Sequence, residues 1–269
     1  MQFRLLGFDV RLDITFLFIG ILFYGLFTTL GLVLFLVVSG LTVLMHELGH
    51  AIVARRVGGE VLSVNLQGFG GFTAWLPNDG VSVMQRFWVA AAGPLYQLAL
   101  GAALYAAVLA GVLGEPWTEL VGNPLDWRAL QLADLNGNWG IFIVLALAIL
   151  SVVWAIFNLI PIFGLDGYTM VRQLAFRLTP ENGDAIARVI GLVVSVGLIT
   201  FFVLRGAIFG ALWVGYIAFS NYPSARKQAA RDVLAGELQA PAAGEQAPAP
   251  DYDSGFEPPS LFDPPESSD

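Results

Sequence analysis

The sequence predicts an all-α polytopic membrane protein: six transmembrane helices, a short membrane-associated β-hairpin and a disordered C-terminal tail. Three observations carry that fold class. Hydrophobic residues make up 57% of the 269 positions and charged residues only 13%, against about 25% charged in a water-soluble domain. Six apolar runs reach or approach the roughly 20 residues that a helix needs to cross the hydrocarbon core. Beyond Ser224 the composition changes, with half of the fourteen prolines falling in that last stretch.

The runs follow one another along the chain. The first, residues 12–28, is preceded by Arg4 and Arg11; no small-residue cleavage site follows it, so it reads as a retained helix rather than a secretory signal. The second, 30–55, holds the only two histidines of the protein. Residues 59–77, GEVLSVNLQGFGGFTAWLP, alternate β-formers with polar residues around a glycine cluster and read as a hairpin. Its apolar character places it against the helices or dipping into the membrane, where non-helical backbone is tolerated only when buried in protein or lining a wet cavity.

The third run, 84–113, is followed by an acidic loop, 114–137, with Glu115, Glu119, Asp126 and Asp134. The remaining runs are 138–160, 185–204 and 206–222. Residues 1–223 form the expected membrane core. From Ser224 onward three basic residues stand against nine acidic ones, so six of the eight net negative charges lie in the tail, 224–269. That segment has too little apolar surface to fold alone and is expected to be disordered.

Orientation follows from the basic residues. With the N-terminus inside, eleven of the thirteen lysines and arginines are cytoplasmic and only Arg128 and Arg205 lie outside. Both termini are then cytoplasmic. A multi-pass protein of a bacterial or archaeal cell membrane is expected, the latter from one lysine against twelve arginines. The lipid bilayer is its partner and nucleic acid is not. Zero cysteines exclude a disulfide framework, a thiolate metal site and a cysteine nucleophile.

The chemistry lies in His46-Glu47-Leu48-Gly49-His50. On a helix, positions i and i+4 share one face. Two imidazoles so placed bind one zinc, and the glutamate beside them takes a proton from water at the metal. The bland reading is a polar helix end with both histidines satisfied by carbonyls. Ionisable groups within a bilayer cost roughly 3 kcal/mol each and are by default functional or paired, which favours the metal. At 1.5 Å per residue, His46 lies about 14 Å from the Arg55 end of its run, inside the membrane and nearer the cytosol.

Two histidines and a water leave a ligand missing. The fourth run ends in Asn158-Leu159-Ile160-Pro161-Ile162-Phe163-Gly164-Leu165-Asp166-Gly167, where Pro161 removes a helical hydrogen bond. This run returns to the cytoplasmic half and so brings Asp166 to the depth of the histidines. Asp166-Gly167 also reads as an ordinary helix-ending turn.

HELGH in one apolar run and NxxPxxxxDG in a later one resemble the site-2 protease family of intramembrane zinc metalloproteases, over about residues 1–222. The resemblance implies that His46, His50 and Asp166 hold one zinc per chain, that Glu47 is the general base, and that Asn158 helps hold substrate backbone. It likens the hairpin at Gly70 and Gly71 to a β-element whose edge pairs with an extended substrate. Family members often carry Asn where this chain has Gln97, a longer arm for the same amide. Gly93 and Pro94 read as close helix packing and a kink. Neither the outer loop nor the tail has room for the PDZ or nucleotide-sensing CBS domain that some relatives carry, so a minimal core is expected.

The expected function is hydrolysis of a peptide bond within or near the transmembrane segment of a single-pass membrane protein. By resemblance this belongs to regulated intramembrane proteolysis, of an anti-sigma factor, a tethered transcription factor or a signal-peptide remnant. The alternative from another class is a polytopic divalent-metal transporter using the same His/Asp cluster. A permeation path would carry polar residues at several depths, which the other runs lack, and it gives Glu47 no role.

Overall fold

A computed structural model describes residues 1–68, 70–112, 114 and 127–222. Leu113 at the end of the third apolar run, most of the acidic loop (115–126) and the tail (224–269) lie outside the described residues. The elements in chain order are β1 (Gln2–Leu5), β2 (Phe8–Leu12), a 3-10 turn (Ile14–Leu17), α1 (Phe18–Leu22), α2 (Thr29–Arg56), β3 (Glu60–Gln67), β4 (Gly70–Leu76), α3 (Val83–Leu109), α4 (Trp127–Leu135), α5 (Trp139–Leu159), α6 (Asp166–Leu178) and α7 (Gly183–Leu204). A last helical stretch, α8, covers 208–222.

Among the described residues four helices are long and apolar enough to cross a membrane: α2, α3, α5 and α7. The expectation of six spans is corrected at its first member. Residues 12–28 are not one helix: a 3-10 turn capped by Asp13 passes into the short α1, and the chain turns at Gly25 with a φ of +85°. Asp13 Oδ1 accepts from the backbone N–H and the hydroxyl of Thr15 and so caps the start of the turn; the break comes after Leu22, where Gly25 takes the left-handed conformation that glycine adopts most readily. The sixth run is helical over 208–222, up to the last of the described residues.

The all-α expectation is corrected as well. Four strands form one sheet in the order β1-β2-β3-β4. β1 and β2 pair antiparallel through a tight turn at Leu6 and Gly7, both at positive φ. β3 and β4 pair antiparallel, with Gln67 opposite Gly70 and Glu60 opposite Leu76. β2 and β3 run parallel, Val10 opposite Val64. Parallel strands need a long crossover, and here the crossover contains α2. The helix bearing both histidines is therefore seated on a sheet: Phe8, Val10, Val64 and Leu66 share one buried cluster with Phe35, Val38, Val43, Leu48 and Ala51 of α2.

The other face of α2 meets α3 at small residues, which let backbones approach. A Cβ on Gly49 would stand 3.1 Å from the carbonyl of Ala92 and 3.2 Å from Cα of Gly93. The start of α2 is clasped by α4. Thr28 caps the helix, its hydroxyl accepting from the N–H of Gly31. The buried carboxylate of Asp134 in turn accepts from the N–H and the hydroxyl of Thr28, each at 2.6 Å.

α5 stops at Leu159, with Ile160 extended before Pro161, as the ring clash with a preceding helical residue requires. The chain turns through Gly164, at φ +90°, and re-enters helix at Asp166. Gly167 packs so closely on the carbonyl of Leu159 that no side chain fits there. α6 is pinned to α7 by a buried ion pair, Arg172 Nε to Asp184 Oδ1 at 2.7 Å.

Candidate metal centre

His46 and His50 lie one turn apart on the buried face of α2, their ring centroids 4.7 Å apart. Each ring is fixed from behind. His46 Nδ1–H donates to Oε1 of Gln97 at 2.8 Å, and His50 Nδ1–H donates to the carbonyl of Val89 at 2.7 Å. Gln97 is fully buried, and its Nε2 donates to the carbonyl of Thr42 at 3.0 Å, which turns its oxygen toward His46. With both Nδ1 atoms protonated, the two Nε2 atoms carry lone pairs and face each other at 3.0 Å.

The third apex is Asp166, the first residue of α6. Its Oδ2 is 2.9 Å from Nε2 of His46 and 3.3 Å from Nε2 of His50. Among the described residues these three side chains form a cluster able to hold a metal ion. Two imidazole nitrogens and a carboxylate converging on one point are held together by a proton or by a metal cation between them. Tetrahedral zinc with ligands at about 2.0–2.1 Å separates its ligand atoms by roughly 3.3 Å, close to the spacings found here. The donor set fits zinc.

Gly93 explains why α3 can approach. A Cβ there would come within 2.8 Å of Cε1 of His50 and 2.9 Å of Cε1 of His46, and closer still to Nε2 of His50. The sequence reads Gly93 as helix packing; the structure sets that packing directly on the two imidazoles.

Glu47 is buried on the adjacent face of α2, and its Oε2 accepts from the hydroxyl of Thr73 at 2.8 Å. Gly71 lies against the same carboxylate, where a Cβ would stand 2.8 Å from Cγ and Oε1 of Glu47. Gly70 lies against the ring of Trp154. Asn158 donates from Nδ2 to the carbonyl of Trp154, one turn back in α5, at 3.0 Å. Of the residues singled out from sequence, His46, His50 and Asp166 thus converge. Glu47 and Gly71 form a second contact beside them, and one of the two amide N–H groups of Asn158 is engaged within its own helix.

Sequence reasoning missed Thr73 and the carbonyl of Val89. Thr73 sits two residues from Gly71 on one face of β4, but nothing in the alternation says which element that face meets. A backbone carbonyl carries no sequence mark at all.

Next to the centre, α1, α2, α5 and α8 line an open apolar cavity of about 230 Å³. Thr42 and Val43 of α2 line it one turn before His46 and Glu47, and Trp154 and Phe157 line it from α5.

The model of peptidase family M50 matches residues 34–202. Rip3 of Mycobacterium tuberculosis is 33% identical over 202 residues, covering 71% of this chain and 44% of that protein. Zinc metalloprotease MJ0392 of Methanocaldococcus jannaschii is 27% identical over 178 residues, 64% of this chain and 44% of its own length. The chain spans less than half the length of these curated relatives. Among solved structures, the site-2 protease from Methanocaldococcus jannaschii matches with a TM-score of 0.55 at 21% identity, over 84% of this chain and 94% of that one. At that identity the likeness is one of fold.

Proposed function

The chain belongs to peptidase family M50, and on that premise we propose that it is an intramembrane zinc metalloprotease. It hydrolyses a peptide bond within or near the transmembrane segment of a membrane protein. The observation that carries this reading is the placement of a buried carboxylate, Glu47, beside the cluster of His46, His50 and Asp166 on a helix apolar enough to span a membrane. A metal transit site has no use for a base held in that position.

His46, His50 and Asp166 hold the metal. When bound there, zinc supplies Lewis acidity, polarising the scissile carbonyl and acidifying a water. Glu47 takes the proton of the attacking water at its carboxylate and delivers it to the leaving amine. Gln97 and the carbonyl of Val89 keep both rings in the tautomer that leaves Nε2 available. Asn158 is a candidate donor to the substrate backbone through its second Nδ2–H, the first being held by the carbonyl of Trp154.

The substrate class follows from the surroundings. A transmembrane helix has its carbonyls in intrahelical bonds, so it must unwind before attack. The cavity beside Thr42 offers apolar walls to residues of such an unwound segment, and the hairpin offers strand edge that offsets part of the lost hydrogen bonding. A single-pass membrane protein in regulated intramembrane proteolysis fits these demands. The bias of lysine and arginine toward one side supports a topology with both termini, the hairpin and the Arg55 end of α2 in the cytosol.

The test compares the wild-type chain with Glu47→Gln in membranes, following a transmembrane substrate fragment by proteomics. Fragments that accumulate in the variant while it keeps one zinc per chain support the reading. Cleavage by the variant at the wild-type rate refutes Glu47 as the base.

A further inference from the structure

β4 runs past the side of α2 that carries Glu47. Residues two apart on a strand point to the same face, and the two positions of β4 that meet Glu47 are Gly71 and Thr73. Thr73 Oγ1 lies 2.8 Å from Oε2 of Glu47 and 2.9 Å from its backbone carbonyl. A hydroxyl has one proton to donate. The carbonyl, within α2, already accepts a helical N–H, whereas a bond to a carboxylate is charge-assisted and the stronger of the two. The proton of Thr73 therefore goes to Oε2.

Gly71 makes this contact sterically feasible. A Cβ at 71 would stand 2.8 Å from Cγ and Oε1 of Glu47 on one side and 2.8 Å from the backbone oxygen of Asn65 on the other. The Asn65 oxygen belongs to the paired strand β3 and cannot step aside. A glutamate side chain has three rotatable bonds. Here a gap at 71 and a donor at 73 confine its carboxylate to one place beside the metal cluster.

We propose that β4 is the seat of the general base, with Thr73 a positioning residue that acts through Glu47 and Gly71 the clearance that admits the carboxylate. The hairpin then governs the chemical step, and not only the capture of an extended substrate. This rests on the reading of Glu47 as the base. It extends that reading to a residue outside both metal-binding motifs.

Two measurements on the full chain in detergent or proteoliposomes decide it. In the first, Thr73→Val removes the hydroxyl at nearly constant volume and Thr73→Ser restores it. Against a membrane-embedded peptide, Thr73→Val is expected to lower kcat by about 10- to 100-fold, the worth of a hydrogen bond to a charged group. KM should stay within about twofold and zinc at one per chain, and Thr73→Ser should recover most of the rate. Wild-type kcat in Thr73→Val, a change in KM alone, or a Thr73→Ser as slow as Thr73→Val each overturns the proposal. Should T73V fail to fold, T73A is read for the same split.

The second measurement needs no protease activity. A double-mutant cycle of unfolding equilibrium constants over Thr73→Val and Glu47→Leu is expected to be non-additive by about tenfold, and additivity overturns the contact. A wild-type chain that cleaves no membrane peptide while the cycle is non-additive refutes the protease reading and leaves the contact standing.

Discussion

Replacing Gly93 with alanine adds one methyl group between α3 and the two imidazoles. Ordinary contact to a Cβ begins near 3.4 Å, but the new carbon would stand 2.8 Å from Cε1 of His50 and 2.9 Å from Cε1 of His46. Each ring must retreat by about half an ångström or more. Neither is free to do so, because Nδ1 of His50 is tied to the carbonyl of Val89 and Nδ1 of His46 to the fully buried Gln97. A metal site tolerates about 0.2 Å in its ligand distances, so the shift exceeds the tolerance more than twofold. Displacing the ligands is expected to weaken zinc binding by about 100-fold or more, beyond the 10- to 100-fold of a lost supporting contact. Stability moves less: overpacking costs about 1–3 kcal/mol, while replacing a mid-helix glycine by alanine returns up to about 1 kcal/mol. The assay is zinc per chain after purification, with affinity from chelator competition and thermal unfolding measured in parallel. Gly197→Ala is the control, since a Cβ there meets nothing within 4 Å. A Gly93→Ala chain that keeps one zinc with Kd within about threefold of wild type refutes the placement of α3 against the imidazoles.

Other substitutions test the remaining supports. Gln97→Leu removes the acceptor behind His46; zinc affinity by chelator competition is expected to fall about 10- to 100-fold, and Gln97→Glu, which retains an acceptor, is expected to bind zinc better than Gln97→Leu. Equal affinity in Gln97→Leu and wild type refutes that role. At the far end of α2, Asp134→Ala removes the two hydrogen bonds that Thr28 donates to a buried carboxylate, while the Thr28 cap on Gly31 remains. A loss of about 2 kcal/mol in unfolding free energy is expected from the hydrogen bonds to a charged group, with zinc content unchanged. Gly31→Ala at the same clasp would drive a methyl into the Asp134 carboxylate and is expected to destabilise comparably, whereas Gly140→Ala, with open space around it, is not.

What the sequence makes legible here is what repeats with a helical period. His46, Glu47 and His50 fall on two neighbouring faces of one helix by spacing alone, and long apolar stretches declare α2, α3, α5 and α7 within a few residues. The break at Pro161 is equally readable, because the proline acts on the residue before it whatever surrounds the chain. Asp166 is different. Its chemistry is visible, but its arrival 2.9 Å from Nε2 of His46 depends on a turn through Gly164 and on α6 packing under α3, neither of which has a period. The residues at 12–28 mislead for the opposite reason: they are apolar enough for a span, and one glycine, Gly25 at a φ of +85°, turns the chain between α1 and α2.

The sheet marks the deeper limit. Gln2–Leu5 and Phe8–Leu12 are too short and too close to an apolar run to stand out, and the β2–β3 pairing joins residues more than fifty positions apart. Yet that pairing sets the geometry around Glu47. Because β2 and β3 run parallel, the chain between them must cross over, and the crossover is the helix that bears the histidines. Because β4 pairs antiparallel beyond β3, its 71 and 73 positions come to lie against the helix at Glu47. A hairpin read in isolation offers only an edge for an extended peptide. Attached to β1 and β2 with α2 as its crossover, it also has a buried face, and that face carries the residues that touch the carboxylate. The same strand thus offers backbone along one edge and a hydroxyl to Glu47 from one face, so a displacement of β4 moves the edge and the carboxylate together.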